Sequence, residues 1–243
     1  MEKIKWGIIG PGNIANNFAD GLKGSYSGQL VSIASKSEDR RKNFGDKYDI
    51  HPDFRFDSYE DIINSEHIDA IYISTPHTLH AEWTIKAAGK GKHILCEKPG
   101  AINFNEGKKI IDAVREAGVF YMEGFMYRCH PQIPKLVDII KNKIIGDVIS
   151  VETSFGFDMG KTIPDHRLFN KNLAGGGILD VGLYPISFSR LIAGVATGDK
   201  FSEPKFLDAE ATIGETGVDE IAHANLEFKN GIKAKVSTAI RET

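Results

Sequence analysis

Ile4-Lys5-Trp6-Gly7-Ile8-Ile9-Gly10-Pro11-Gly12-Asn13-Ile14-Ala15 is the stretch whose reading decides the fold. Residues 4–9 form a short, β-rich apolar run, a glycine turn follows, and an amphipathic pattern occupies residues 14–22. Gly10 suits a tight turn, Gly12 lets the backbone approach a ligand without a side chain in the way, and Ala15 is small enough for helix and strand to pack closely. A helix opening directly from such a turn offers amide donors and the favourable end of its dipole to an anion. Gly10, Gly12, Asn13, Ile14 and Ala15 are therefore candidates for holding the pyrophosphate of a dinucleotide. Glycine also punctuates ordinary βα turns, so the reading depends on what surrounds it.

Working outward, continuous apolar runs recur at residues 30–34, 70–73 and 93–96, as expected for strands buried on both faces. Amphipathic stretches at 38–47, 77–89 and 103–117 separate or follow them, and 119–122 reads as a closing strand. This alternation predicts an α/β fold, a Rossmann-type doubly wound parallel sheet. Beyond it the period changes. A helical segment at 133–143 precedes an alternating run at 148–157, in which Ile149, Val151, Thr153, Phe155 and Phe157 share a face, with the two phenylalanines read as sheet core. Ala222, Ala224, Leu226 and Phe228 alternate again, and Ile232, Ala234, Val236, Thr238 and Ile240 resume the pattern after Asn230-Gly231. An Asn-Gly pair between alternating strands predicts a hairpin, because its turn needs positive φ at both residues. The second half is thus read as an α+β domain with a largely antiparallel, open-faced sheet. The boundary falls near Glu123-Gly124, giving domains 1–123 and 124–243.

Composition excludes several classes. Thirty Lys and Arg stand against 33 Asp and Glu in 243 residues, a net charge of −3 with both signs interspersed, so no basic footprint for nucleic acid exists. No apolar run was found near the roughly 20 residues of a membrane span, and Met1-Glu2-Lys3 leads into a strand rather than a signal peptide. Cys96 and Cys129 are too few for a disulfide framework and are read as small buried hydrophobes. A cytoplasmic protein is expected. His77 and His80 are spaced compatibly with a metal, but no third ligand is evident nearby and no metal site is expected.

The end of the second strand selects among dinucleotides. An NAD site places Asp or Glu there to hold the ribose 2′-hydroxyl. This chain has Ser35-Lys36-Ser37, then Arg40 and Arg41, and hydroxyls with cations suit a 2′-phosphate. NADP is expected, with NAD possible. Later strand ends carry Thr75-Pro76-His77 and Cys96-Glu97-Lys98-Pro99, which places Thr75, Pro76, His80, Glu97 and Lys98 at the same crevice.

These motifs, with Gly175-Gly176-Gly177-Ile178-Leu179-Asp180-Val181-Gly182-Leu183-Tyr184-Pro185, resemble the glucose-fructose oxidoreductase/inositol dehydrogenase/rhizopine catabolism (Gfo/Idh/MocA) family along essentially the whole chain. Glu123-Gly124-Phe125-Met126-Tyr127-Arg128 and the Tyr-Pro ending resemble most the branch holding dimeric dihydrodiol dehydrogenase and NADP-dependent xylose dehydrogenase. The resemblance implies a substrate pocket and often a subunit interface on the second domain, a homodimer or higher homo-oligomer, and a lysine at position 98 beside the nicotinamide. Family members run longer, so the chain is read as C-terminally short, with pocket-lining residues missing and a sheet edge exposed unless a second subunit covers it.

The expected chemistry follows. Asp180 and Tyr184 are four apart on a helical pattern and share a face. Hydride transfer to a carbonyl requires a proton for the new alkoxide, and a phenol can supply it if a neighbouring cation lowers its pKa from near 10. Tyr184 is the candidate proton donor or acceptor, Lys98 its candidate cation, and Asp180 the orienting group. Spacing alone favours a core aromatic for Tyr184, a surface charge for Asp180 and a solvated loop lysine for Lys98; the family motif reverses that order. Pro185 lacks the amide that would bond the Val181 carbonyl, so a local kink is expected, and Gly182 allows close approach to a backbone, a ligand or a packed helix. Arg128, His130, Asp165, His166 and Arg167 are weaker candidates for substrate hydroxyls, each equally readable as a surface charge, and the faces of Phe155 and Phe157, read first as sheet core, also suit sugar rings. The expected function is an NADP(H)-preferring sugar or polyol dehydrogenase. A trans-dihydrodiol dehydrogenase and a non-catalytic NADP-binding sugar-pathway sensor are the alternatives.

Overall fold

A computed structural model describes residues 2–241; Met1, Glu242 and Thr243 lie outside the described residues. The chain divides into two compact units, 1–124 and 125–243.

In the first unit, β1 (Ile4–Ile9), α1 (Asn13–Lys23), β2 (Gly28–Ala34), α2 (Glu38–Lys47), β3 (Arg55–Phe56), α3 (Tyr59–Asn64), β4 (Ala70–Ile73), α4 (His80–Ala88), β5 (His93–Cys96), α5 (Phe104–Ala117) and β6 (Tyr121–Glu123) follow in order. All strands pair in parallel, in the order β3-β2-β1-β4-β5-β6. Burial on both faces explains the unbroken apolar runs: alternate strand residues serve opposite layers. Ile8, Ile33 and Tyr72 pack under Ala15 and Ala19 of α1, Phe44 of α2 and Tyr48 just after it. Ile9, Ile71, Ile73 and Ile94 pack under α3, α4 and α5 through Ile62, Trp83, Ala87, Ile110 and Val114. The order reverses between β1 and β4, so Gly10, Ser35, Thr75 and Glu97 all lie at strand carboxyl ends beside a topological switch point.

The expected helix at 77–89 is a short 3₁₀ turn followed by α4. The sequence reading missed β3 and α3, both too short for a periodic signal. Ser58 starts α3 by accepting from the Glu60 and Asp61 amides.

The second unit contains α6 (Gln132–Lys141), β7 (Ser150–Gly156), α7 (Leu183–Thr197), β8 (Lys205–Ile213), β9 (Asp219–Glu227) and β10 (Lys233–Ala239). The sheet order is β7-β10-β9-β8, with β10 parallel to β7 and antiparallel to β9, and β8 antiparallel to β9. Helices α6 and α7 cover one face through Ile140, Leu191, Ile192 and Val195 on Val151, Leu226, Ala234 and Val236. The other face is polar, with Glu152, Asp208, Glu210, His223, Asn225 and Lys235 around a shallow depression.

Register in the hairpin follows the core, not the turn alone. Asn230 and Gly231 both take positive φ, at 65° and 77°. The connection is nevertheless three residues long, and Phe228 donates to the Ile232 carbonyl at 2.7 Å across it. This pairs Leu226 with Ala234 and Ala224 with Val236, keeping both apolar sets on one face. A two-residue Asn-Gly turn would shift the partner by one and place Leu226 opposite the exposed Lys235.

Four readings need correction. The missed β8 is exposed along its whole length, so no in-out alternation marked it. Phe155 is half-exposed and Ile149 lies outside the strand, so neither is core. Cys129 is exposed, unlike Cys96. One stretch of 27 residues, Lys171–Thr197, is long and apolar enough to cross a membrane by length and composition. Its Leu191, Ile192, Ala193 and Val195 are spent on the core.

Candidate active site

In the first unit the polar groups gather at the carboxyl end of the sheet. Gly10 adopts φ 91°, and a Cβ there would meet the Ser74 carbonyl oxygen at 3.0 Å. The Ser74 hydroxyl closes the turn by donating to the Gly10 carbonyl at 2.7 Å. At Gly12 the situation reverses: a Cβ would meet nothing within 4 Å, so open space faces the backbone where α1 begins. No side chain caps α1 and no acid occupies its first turn, which leaves its leading amides as donors. Asn13 and Ile14 are exposed at this terminus, while Ala15 is fully buried beneath it. Beside the turn, Thr75 is buried and its Oγ1 has no hydrogen-bond partner among the described residues; Pro76 is exposed. An open cradle, free amides and an orphaned hydroxyl fit a dinucleotide.

The end of β2 carries the expected cations. Ser35 is buried, its Oγ accepts from the Ser37 amide, and Arg41 donates to its carbonyl at 2.7 Å. Ser37 caps α2, while Lys36 and Arg40 stay exposed. The Lys36 amine lies 5.8 Å from the Tyr59 ring centre, and Arg40 opposes the burial that raises the Tyr59 phenol. Residues 35–37 contain no acid.

After β5 the chain passes through Glu97, Lys98 and Pro99, with the Lys98-Pro99 peptide cis. Tyr72 donates to Glu97 Oε1 at 2.5 Å; burial first, and then the adjoining carboxylate, raise its phenol far above the ordinary value, so it remains a donor. His80, read from sequence as a crevice contact, is buried instead. Its Nδ1 lies 2.7 Å from the Pro99 carbonyl oxygen and its Nε2 2.8 Å from that of Thr75. Burial lowers its pKa, against the two carbonyls that favour the charged ring. Both nitrogens thus face backbone carbonyls rather than a cofactor, and the neutral ring donates to one of them at a time. Cys96 is inert, its thiol pushed up to about 12 by burial.

From sequence, Glu123 marks the domain boundary and opens the branch motif, with no site role. Its carboxylate accepts from the Gly100 amide at 2.7 Å, and burial raises its pKa. The folded state therefore holds the proton to higher pH than the unfolded chain, and stability is lost as pH rises from the ordinary carboxylate range through the raised value. Glu123→Gln keeps an acceptor for Gly100 and removes the ionisation. Its Tm should exceed the parent's at pH 8 and converge on it at pH 4 in a thermal series; equal Tm at both would contradict this.

In the second unit, Asp180 is no surface charge. It is 3% exposed, and Arg167 donates to its Oδ1 at 2.9 Å. The kink expected from Pro185 takes the form of a π-turn, Ile178–Gly182, immediately before α7. Gly182 is explained by packing, since a Cβ there would lie 3.0 Å from Thr238 Cγ2 of β10. Asp219, unnoticed in the sequence, accepts from the Ile178 amide at 2.6 Å and fixes the start of the turn. The Tyr184 ring stands edge-on to Phe125, Tyr127 and Phe155 at 5.6, 6.2 and 5.3 Å between centres. Tyr127 is held by Ser187 at 2.9 Å. Of the weaker candidates, Arg167 joins this centre, and Arg128 stacks over Phe201 at 4.6 Å.

Comparison with known proteins matches both units. Residues 4–125 match a model described as an oxidoreductase family with NAD-binding Rossmann fold, and 133–242 match a GFO/IDH/MocA C-terminal domain. A trans-1,2-dihydrobenzene-1,2-diol dehydrogenase of Mus musculus is 32% identical over 98% of the chain and 68% of its own length. A D-xylose 1-dehydrogenase (NADP(+)) of Haloferax volcanii is 33% identical over 97% of the chain and 69% of its own length. The solved structure of a 3-ketoreductase variant from Actinomadura kijaniata, in complex with TDP-benzene and NADP, superposes with a TM-score of 0.88 at 27% identity. It covers all of this chain and 71% of that one.

Proposed function

The chain belongs to the Gfo/Idh/MocA family of oxidoreductases, and from that premise we propose that it is an NADP(H)-preferring enzyme interconverting a carbinol and a carbonyl on a sugar or polyol. The observation that carries the cofactor reading is the open Gly12 cradle beside the unpartnered Thr75 hydroxyl, with Lys36 and Arg40 at the neighbouring strand end.

The residues that would hold NADP are Gly10, Gly12, Asn13, Ile14 and Ala15 at the pyrophosphate, Ser35, Lys36, Ser37 and Arg40 at the 2′-phosphate, and Thr75, Pro76, Glu97 and Lys98 toward the nicotinamide end. A nicotinamide bound there would supply or accept the hydride. Tyr184 gives the proton to the carbonyl oxygen, or takes it in oxidation. Lys98 donates to the substrate oxygen. Asp180, held by Arg167, orients the substrate group.

The aromatic wall of Phe125, Tyr127, Phe155 and Tyr184 favours ring-shaped substrates and supports a cyclic trans-diol as the second reading, as in the murine relative. A homodimer or higher homo-oligomer in the cytoplasm, without membrane or nucleic acid, completes the proposal. The balanced charge supports the absence of nucleic acid, the apolar α7 packed into its own core supports the absence of a membrane span, and the oligomer and compartment rest on the family resemblance.

Arg40→Ala tests the cofactor preference. Losing one charged contact to the 2′-phosphate, worth about 1.4 kcal/mol, should raise the NADPH dissociation constant about tenfold and leave that for NADH near the parent value. Titration calorimetry checks it; equal weakening of both would remove the 2′-phosphate assignment. A panel of aldoses, inositols and cyclic diols with NADP then identifies the substrate class.

A further inference from the structure

Four consecutive residues leaving β5 are held from three separate elements. Sheet pairing ends at Glu97, whose amide donates to the Ile73 carbonyl at 2.9 Å, and Pro99 has no amide to offer. Side chains replace the missing ladder. Tyr72 of β4 holds the Glu97 carboxylate at 2.5 Å, His80 of α4 holds the Pro99 carbonyl at 2.7 Å, and Glu123 of β6 holds the Gly100 amide at 2.7 Å. Lys98 lies in the middle of this span.

Core filling does not need these groups. Apolar side chains of similar volume would fill the same space without the cost of desolvating a phenol, an imidazole and a carboxyl. Tyr72 is 2% exposed and His80 1%. All three hydrogen bonds converge on the backbone or side chain within two residues of one lysine.

We propose that Tyr72, His80 and Glu123 are positioning residues that fix the chain around Lys98 and thereby aim its amine. The inference rests on the reading that Lys98 takes part in the reaction. An aiming error near 1 Å costs a catalytic group up to about a hundredfold, which gives the three braces a purpose beyond folding.

Competitive acetylation of the intact protein with acetic anhydride, read at each lysine by peptide mass spectrometry, reports on Lys98 without substrate or cofactor. Tyr72→Phe, His80→Asn and Glu123→Leu should each change the Lys98 labelling rate by about threefold or more, with kcat per NADPH-binding site about tenfold lower and substrate KM unchanged. Lys23 and Lys235 should label as in the parent. Glu123→Gln, which keeps the acceptor for Gly100, should recover most of the loss. Tyr72→Phe preserves the ring stacked 4.1 Å from Phe18, so the core around it stays filled. Parental Lys98 labelling and parental kcat in Tyr72→Phe would overturn the inference. Retained turnover in Lys98→Met would instead overturn the reading beneath it, whatever the labelling shows.

Discussion

With Lys98 replaced by methionine, kcat is expected to fall by roughly 10²–10⁴-fold, the range for removing a group that assists proton transfer. Methionine has a similar length and no charge, so the backbone hydrogen bonds flanking the position remain. The affinity for NADPH should stay within about twofold, because the contact at position 98 is one of many along the dinucleotide and the main loss falls in the transition state. Steady-state kinetics with fluorescence titration of NADPH separates the two effects. A variant keeping most of the parent's turnover would remove Lys98 from the mechanism, and a parallel loss of cofactor binding would leave it only its contact at the nicotinamide end.

Tyr184→Phe is expected to lower kcat over the same range, roughly 10²–10⁴-fold, for a different reason. It deletes one hydroxyl and keeps the ring, so the contacts with Phe125, Tyr127 and Phe155 persist. The fold should therefore melt near the parent's temperature while the reaction loses its proton donor. Circular dichroism and kcat on the same sample check this. Full activity would show the tyrosine to be part of the aromatic wall only, as its spacing alone first favoured.

How much of this was legible beforehand depended on whether the sequence carried a period or only a position. The strands around Ile8, Ile33, Ile71 and Ile94 could be read because burial on both faces demands unbroken apolar runs. The turn at Gly10 could be read because φ 91° and the nearby Ser74 carbonyl leave room only for glycine. β8 could not, since nine exposed residues impose no pattern. Among the site residues, Lys36 and Arg40 were visible as cations where an acid is usual. Asp180 was visible as an orienting group through the family motif, but its ion pair was not: its partner Arg167 is thirteen residues away in sequence, and no local rule links them. His80 was found but given the wrong task, since its two carbonyl contacts come from chain segments that meet only in the folded sheet. Tyr72 lay unmarked within an apolar strand run, and Asp219 carried no signal, for the same reason.

Hydride transfer itself is measured most directly by following reduced-nicotinamide absorbance with saturating NADP across aldoses, inositols and cyclic trans-diols. The account predicts steady production of NADPH with at least one of them, and a markedly slower rate with NAD. Tight NADPH binding with no turnover on any carbinol or carbonyl of these classes would contradict it and leave a dinucleotide sensor in its place.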